Sequence, residues 1–303
     1  MLVTGAGGYI GQRLTLALVA AGVGVRALTR SPVPWPEGID PVVGDLVAEP
    51  DLARRVAQGV DIAIHLAGAN EVAAAEHPAA ALRDTVAAAE SVAHSGIARV
   101  MYLSTVHVYG AALTSRSFVD EGTPAGPTFP YAAARLACED AFTSSGCPTM
   151  IFRLTNAVGA PARPEVRRWS LVANELCREG ALDGRLTLRT AGVQWRDFIA
   201  LSDVVSTLTS LVSPASFHPG LYNLASGSSV TIRDLAVVIQ QSFVGFGQPK
   251  PELSAPPPPS DPPGPCRIDI GRLKGLGIAP GTSLRQAVDE TVTFCLDHRA
   301  ALR

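Results

Sequence analysis

Short apolar runs alternate along this chain with longer stretches whose apolar residues recur at helical spacing. Met1 to Thr4 reads as a buried strand, and Gly11 to Ala21 as a helix stopped by Gly22. Val23 to Thr29 is the next predicted strand, followed by a proline-broken loop from Ser31 to Pro41. Asp61 to Leu66 and Arg99 to Leu103 are further apolar strands, separated by an alanine-rich helix over roughly 79–94. A long helix is predicted from Pro130 to Ser144, then a strand from Thr149 to Leu154. Strands alternating with helices in this way make βαβ units and a parallel sheet covered on both faces. Beyond about 160 the pattern loosens. A helix near 168–179, a strand around Arg185–Ala191, and the segments Trp195–Ile199 and Leu221–Leu224 interleave with loops. Ala255 to Pro265 is too rich in proline for regular structure and should cross the surface before Arg267–Ile270 and a last helix, Ser283–His298.

Composition narrows the classes. The 303 residues are 47% apolar with net charge −2, which suits a folded α/β protein with ample core. No basic block is present, so nucleic acid is not expected as a partner. The longest apolar stretches are broken by charge or glycine, so no membrane span is expected either. Cys138, Cys147, Cys177, Cys266 and Cys295 lack metal-like or redox-like spacing. No metal site is expected, and a reducing cytoplasm suits such thiols. The first strand begins at or beside Met1, so no signal peptide is expected before the glycine loop.

Three motifs bring chemistry to this frame. Gly5-x-x-Gly8-x-x-Gly11 sits between the first strand and the first helix, where missing side chains let backbone approach a pyrophosphate. The amides of Tyr9, Ile10 and Gly11 and the helix dipole would face the phosphates. Glycine-rich strand–helix turns also arise from packing alone. The second strand ends in Leu28-Thr29-Arg30, with a guanidinium where sites for NAD usually place an acid. Arg30 would suit a 2′-phosphate, favouring NADP over NAD, unless it is simply a solvated loop arginine. Asp45-Leu46 would border the adenine, and Leu66-Ala67-Gly68 ends the fourth strand at the carboxyl edge where ligands bind in such sheets. Thr105 then offers a hydroxyl, and Tyr131-x-x-x-Arg135 a phenol with a cation one helical turn away.

This ordered set resembles the extended short-chain dehydrogenase/reductase superfamily, the branch of NAD-dependent epimerases and dehydratases that modify nucleotide sugars. The resemblance runs through Arg153-Leu154-Thr155-Asn156-Ala157-Val158-Gly159, Arg196-Asp197-Phe198-Ile199, Tyr222-Asn223-Leu224 and the terminal helix. It implies a doubly wound Rossmann sheet. Residues 1–160 would bind the dinucleotide, with segments at about 190–227 interleaving with them. Residues 161–303 would mainly form a smaller substrate-binding part. By resemblance, Tyr131 is the general acid/base, Thr105 hydrogen-bonds the reacting oxygen, and the cation at 135 acidifies the phenol and reaches the ribose. Asn156 and Arg196 are the implied substrate contacts, Arg196 gripping a nucleotide-sugar phosphate unless it merely pairs with Asp197 at the surface. His107 occupies the place where relatives carry reactive groups, and would act at the sugar or serve as a hydrogen-bonded structural residue. A homodimer through the tyrosine-bearing helix is a further implication.

The chain departs from the family pattern in ways that matter. Arg135 replaces the usual lysine and cannot relay a proton, since it does not deprotonate. Ala81 stands where many members carry asparagine, and an arginine that commonly binds the diphosphate is replaced by the 255–265 proline tract. Val106 and His107 replace the acidic pair of 4,6-dehydratases, disfavouring that reaction. Three readings remain open: an NAD(P)-dependent epimerase of a nucleotide-linked sugar, an NADPH-dependent ketoreductase of a keto-sugar or small carbonyl compound, and a dinucleotide-binding protein whose catalysis has decayed.

Overall fold

A computed structural model describes residues 1–166 and 168–303. The chain divides into two units. Residues 1–112, 121–154 and 205–223 form the first, and 113–120, 155–204 and 224–303 the second.

The first unit is built on a seven-stranded sheet in the order Gly220–Leu224, Thr149–Leu154, Arg99–Thr105, Ile62–His65, Leu2–Thr4, Val25–Thr29, Ile39–Val43. Every registered pairing from Thr149–Leu154 to Ile39–Val43 is parallel. Strand Leu2–Thr4 is wholly buried and pairs on both sides. The chain winds outward from it in two directions, and ligands bind at such a switch point in doubly wound sheets. Helices Pro78–Ala93 and Pro130–Ser144 each begin with proline in the first turn, where its missing N–H costs nothing. Ala88, Ala89, Val92, Cys138 and Phe142 from these helices join Tyr102, Val100 and Ile151 of the sheet in one core. Small side chains on both helices let the backbones approach each other and the strands.

Two differences from the sequence reading have local causes. Ile39–Val43 is a strand although it contains Pro41, because it lies at the sheet edge where one N–H is dispensable. The first helix starts at Tyr9 rather than Gly11, with Gly8 as an extended N-cap.

The second unit holds a three-stranded sheet with Trp195–Ala200 at its centre. This strand is parallel to Asn156–Val158 and antiparallel to Ser229–Thr231. Helices Val172–Asp183, Ile232–Gly245 and Leu284–Asp297 supply Leu176, Cys177, Leu235, Ile239, Phe243, Val288 and Val292 to its core. Capping boxes at Thr231/Asp234 and Ser283/Gln286 start the last two helices. The 255–265 tract has no regular structure; Trp195 Nε1 and Arg233 Nη2 donate to the Pro263 and Pro256 carbonyls.

Candidate active site

The glycine turn is shaped by close approach. Gly5 has φ +65°, and a Cβ there would lie 2.8 Å from the Ala67 nitrogen. A Cβ at Gly11 would lie 2.3 Å from the Gly5 carbonyl oxygen, so packing alone requires that glycine. Gly8 is different: it is exposed, and its added Cβ would meet only the Gly5 oxygen, at 3.2 Å. As the N-cap it offers no side-chain acceptor to the first-turn amides of the helix. Tyr9 itself is buried.

At the tip of the second strand Thr29 is buried and Arg30 exposed, with the Thr29 hydroxyl donating to the Ser31 carbonyl. Asp45 Oδ1 accepts from the Val47 amide at 2.8 Å, and Leu46 packs into the first unit's core.

The fourth strand delivers Leu66, Ala67 and Gly68 beside the glycine turn. Thr85 on helix Pro78–Ala93 holds the next residue, its Oγ1 accepting from the Ala69 amide at 3.1 Å. Arg135, buried, reaches the same loop from helix Pro130–Ser144. Its Nη1 donates to the Ala67 carbonyl at 3.5 Å and its Nη2 to the Ala69 carbonyl at 3.4 Å, both long. A Cβ on Gly68 would lie 3.1 Å from Nη1. The guanidinium also covers the face of the Tyr131 ring, 5.2 Å from its centroid. Burial opposes the Arg135 charge, but the Tyr131 and Tyr102 oxygens outweigh it and hold the group above its ordinary range. The Tyr102 hydroxyl donates to the Arg135 carbonyl at 3.3 Å.

Beneath this loop lies His65, which the sequence reading passed over. It is fully buried against Tyr102 and Phe142, with Nδ1 2.9 Å from the Thr4 hydroxyl. Burial first, and the Arg135 charge second, lower its pKa to about 3. The ring is therefore neutral at any ordinary pH.

Thr105 ends its strand as a buried residue whose Oγ1 accepts from the His107 amide at 3.3 Å, which leaves its own O–H to donate. The adjoining turn, Val106–Tyr109, presents His107 edge-on to Phe129, at 5.4 Å between centroids. Phe129 in turn stacks on Tyr131 at 6.3 Å. Tyr131 is half-buried in the first turn of its helix. The first unit thus gathers the glycine turn, the 66–69 loop, Thr105, His107, Tyr131 and Arg135 around the carboxyl end of the sheet.

In the second unit, Asn156 Nδ2 donates to the Asp197 carbonyl at 2.9 Å. Arg196 lines a cavity of about 300 Å³ with Thr187, Arg189, Thr190, Gln194 and Glu175. Its Nη1 donates to the Trp195 carbonyl at 2.9 Å, and burial lowers its pKa. The Arg196–Asp197 surface pair weighed from sequence does not form, because neighbours on a strand face opposite ways. Asp197 is buried instead and accepts from the Thr155 hydroxyl, the Ser226 amide and hydroxyl, and the Gly227 amide. Burial raises its pKa despite those donors.

Comparison with known proteins gives this geometry its context. A family model described as "NAD dependent epimerase/dehydratase family" matches residues 1–225. A UDP-glucose 4-epimerase of Azospirillum brasilense is 27% identical over 290 residues, covering 87% of this chain and 82% of the relative. Among solved structures, MoeE5 in complex with UDP-glucose and NAD superposes with a TM-score of 0.81 at 23% identity, covering 99% of this chain and 98% of that one. RMD from Pseudomonas aeruginosa complexed with NADPH superposes with a TM-score of 0.77 at 24% identity, covering 98% and 99%.

Proposed function

Because this chain belongs to the NAD dependent epimerase/dehydratase family, we propose that it is an NAD(P)-dependent epimerase of a nucleotide-linked sugar that works through a transient ketone, at C4 of the ring. The observation that carries the reading is Arg135, clamped to the loop beside the glycine turn and laid over the Tyr131 ring. It ties the phenol to the place where a dinucleotide would lie.

The residues present fit that cofactor. A Cβ at Gly5 or Gly11 would strike backbone and distort the turn, and the uncapped helix start behind Gly8 supplies amides for a pyrophosphate. Gly5, Gly8, Tyr9, Ile10 and Gly11 would hold the phosphates, Asp45 and Leu46 would border the adenine, and Leu66, Ala67 and Gly68 the nicotinamide half. Bound NAD(P) supplies a reversible hydride acceptor. Tyr131 would take the proton from the sugar hydroxyl and return it, while the Thr105 O–H holds the same oxygen. Arg135 keeps its charge throughout and would act by its field and by contact with the ribose, not as a proton carrier. In the second unit Arg196, a half-buried cation whose guanidinium donates to a backbone carbonyl, suits a phosphate group, and Asn156 lies beside it on the neighbouring strand as a second polar contact.

Arg30 favours a second reading, an NADPH-dependent ketoreductase, since the second strand ends in an exposed guanidinium and no acid. NADP would then be preferred over NAD. The five free cysteines suit residence in a reducing cytoplasm. A homodimer would form through helix Pro130–Ser144 together with helix Pro78–Ala93, which sedimentation would test.

The deciding experiment incubates the purified protein with UDP-glucose and follows product epimer and NAD(P)H. Epimer formed without added cofactor supports the epimerase; stoichiometric NADPH consumption with a keto-sugar supports the reductase. Cofactor binding without exchange of proton or hydride with any sugar nucleotide leaves the decayed enzyme. Tyr131→Phe should abolish turnover with cofactor affinity nearly intact; unchanged turnover removes Tyr131 from the mechanism.

A further inference from the structure

We propose that Glu139 and Arg153 are positioning residues: a buried ion pair that sets the strand end carrying Thr105 in register with the helix face carrying Tyr131 and Arg135. The role assigned to those three groups rests on the function proposed above; the pair itself is read from geometry.

Glu139 lies four residues beyond Arg135 and eight beyond Tyr131, hence on the same face of helix Pro130–Ser144. Arg153 lies on the strand beside Arg99–Thr105, in register with Ser104. Its Nε donates to both Glu139 oxygens, at 3.1 and 3.2 Å, and its Nη2 to Oε2 at 2.7 Å. The Ser104 hydroxyl donates to Oε1 of the same carboxylate at 2.5 Å. Glu139 and Arg153 side chains are each only 6% exposed. One carboxylate thus binds the residue before Thr105, the neighbouring strand and the catalytic helix together.

The same cation also braces the far end of the turn after Thr105. The Arg153 guanidinium covers the Tyr109 ring at 4.6 Å, at the end of the turn that holds His107. The Tyr109 hydroxyl donates to Asn223 Oδ1 at 2.7 Å, and the Asn223 amide donates to Glu121 Oε1 at 2.8 Å. Burial pushes the Tyr109 phenol up to about 12 although Arg153 and Asn223 pull it down, so it remains a neutral donor. Both ends of the 105–109 turn are therefore fixed to the same arginine, directly at Tyr109 and through Glu139 at Ser104. A pair needed only for stability would not have to meet both.

Buried ion pairs can often be exchanged for apolar residues of similar volume without loss of stability. That separates positioning from stability. The variant Ser104→Ala/Glu139→Met/Arg153→Met is compared with the parent by melting temperature, NADH and NADPH affinity, turnover of UDP-glucose, and hydrogen exchange of residues 104–110. The expected result is a folded protein whose cofactor affinity and KM stay within about threefold, while kcat falls by about tenfold or more. Exchange at 104–110 accelerates with it. A folded variant with parental kcat, or with parental exchange at 104–110, overturns the proposal. If that variant does not fold, Ser104→Ala alone, which cuts only the tie to the strand end, is read by the same two criteria. If the parent turns over no sugar nucleotide, the functional reading fails, and the exchange arm alone decides the positioning.

Discussion

The neutral histidine beneath the 66–69 loop makes acid stability measurable at one position. The unfolded ring takes a proton near its ordinary value of 6.5, whereas the folded ring resists down to about 3. Below 6.5 the unfolded chain therefore binds more protons than the native one. This contribution is fully present above that value and is lost as pH falls toward about 3. The whole gap, from 6.5 to about 3, corresponds to about 5 kcal/mol. At about pH 5 the folded ring is still neutral and roughly 2 kcal/mol has gone, a large part of an ordinary protein's margin. His65→Gln removes the titration while leaving Thr4 a partner. At neutral pH the variant loses the ring contacts with Tyr102 and Phe142 and is less stable than the parent. On acidification it should lose less than the parent does, and the two should converge by about 2 kcal/mol between about pH 7 and 5. Urea midpoints of both proteins at each pH measure the convergence, and the histidine Hε1 shift reports the ring directly. Parallel pH profiles, or a His65 resonance titrating near 6.5, would refute the argument.

Other expectations rest on single distances. Gly8→Ala should stay folded but bind NADH and NADPH several-fold less tightly, whereas Gly11→Ala, with its Cβ 2.3 Å from the Gly5 oxygen, should melt lower as well; calorimetry with cofactor titration separates them. Arg30→Ala should lower the preference for NADPH over NADH by about tenfold if the guanidinium meets a 2′-phosphate, and an unchanged ratio in fluorescence titration counts against that contact. Asp197→Asn places an NH₂ among donors that need acceptors, and should cost about 2 kcal/mol in thermal unfolding. Arg135→Lys is the most informative change at the site. A gain in kcat marks the arginine as tolerated in a lysine position, and a loss marks a site built on the two-pronged grip of Ala67 and Ala69.

Helix Pro130–Ser144 and strand Thr149–Leu154 match the sequence reading, because Pro130 opens the helix and Ser145-Gly146-Cys147-Pro148 separates it from the apolar strand. Tyr131 and Arg135 were recognisable as neighbours since four residues make one helical turn. The exposed strand Ile39–Val43 was missed because Pro41 argues against a strand until its edge position is known. Helix Ile232–Gly245 was missed although Thr231 and Asp234 carry the spacing of a capping box. Phe129 could not be assigned, since its place between His107 and Tyr131 depends on two segments far apart in the chain.

Local periodicity and glycine spacing were enough to establish the alternating strands and helices, the glycine turn, and the phenol with its cation one helical turn away. These signals act over a few residues, so the linear chain contains them whole. The neutrality of His65, the union of Glu139 with Ser104 and Arg153, and the gathering of Thr155, Ser226 and Gly227 donors on Asp197 were decided only by tertiary structure. Each depends on which side chains the winding of the sheet excludes from water and which donors it brings to a buried charge, and no stretch of sequence holds both partners.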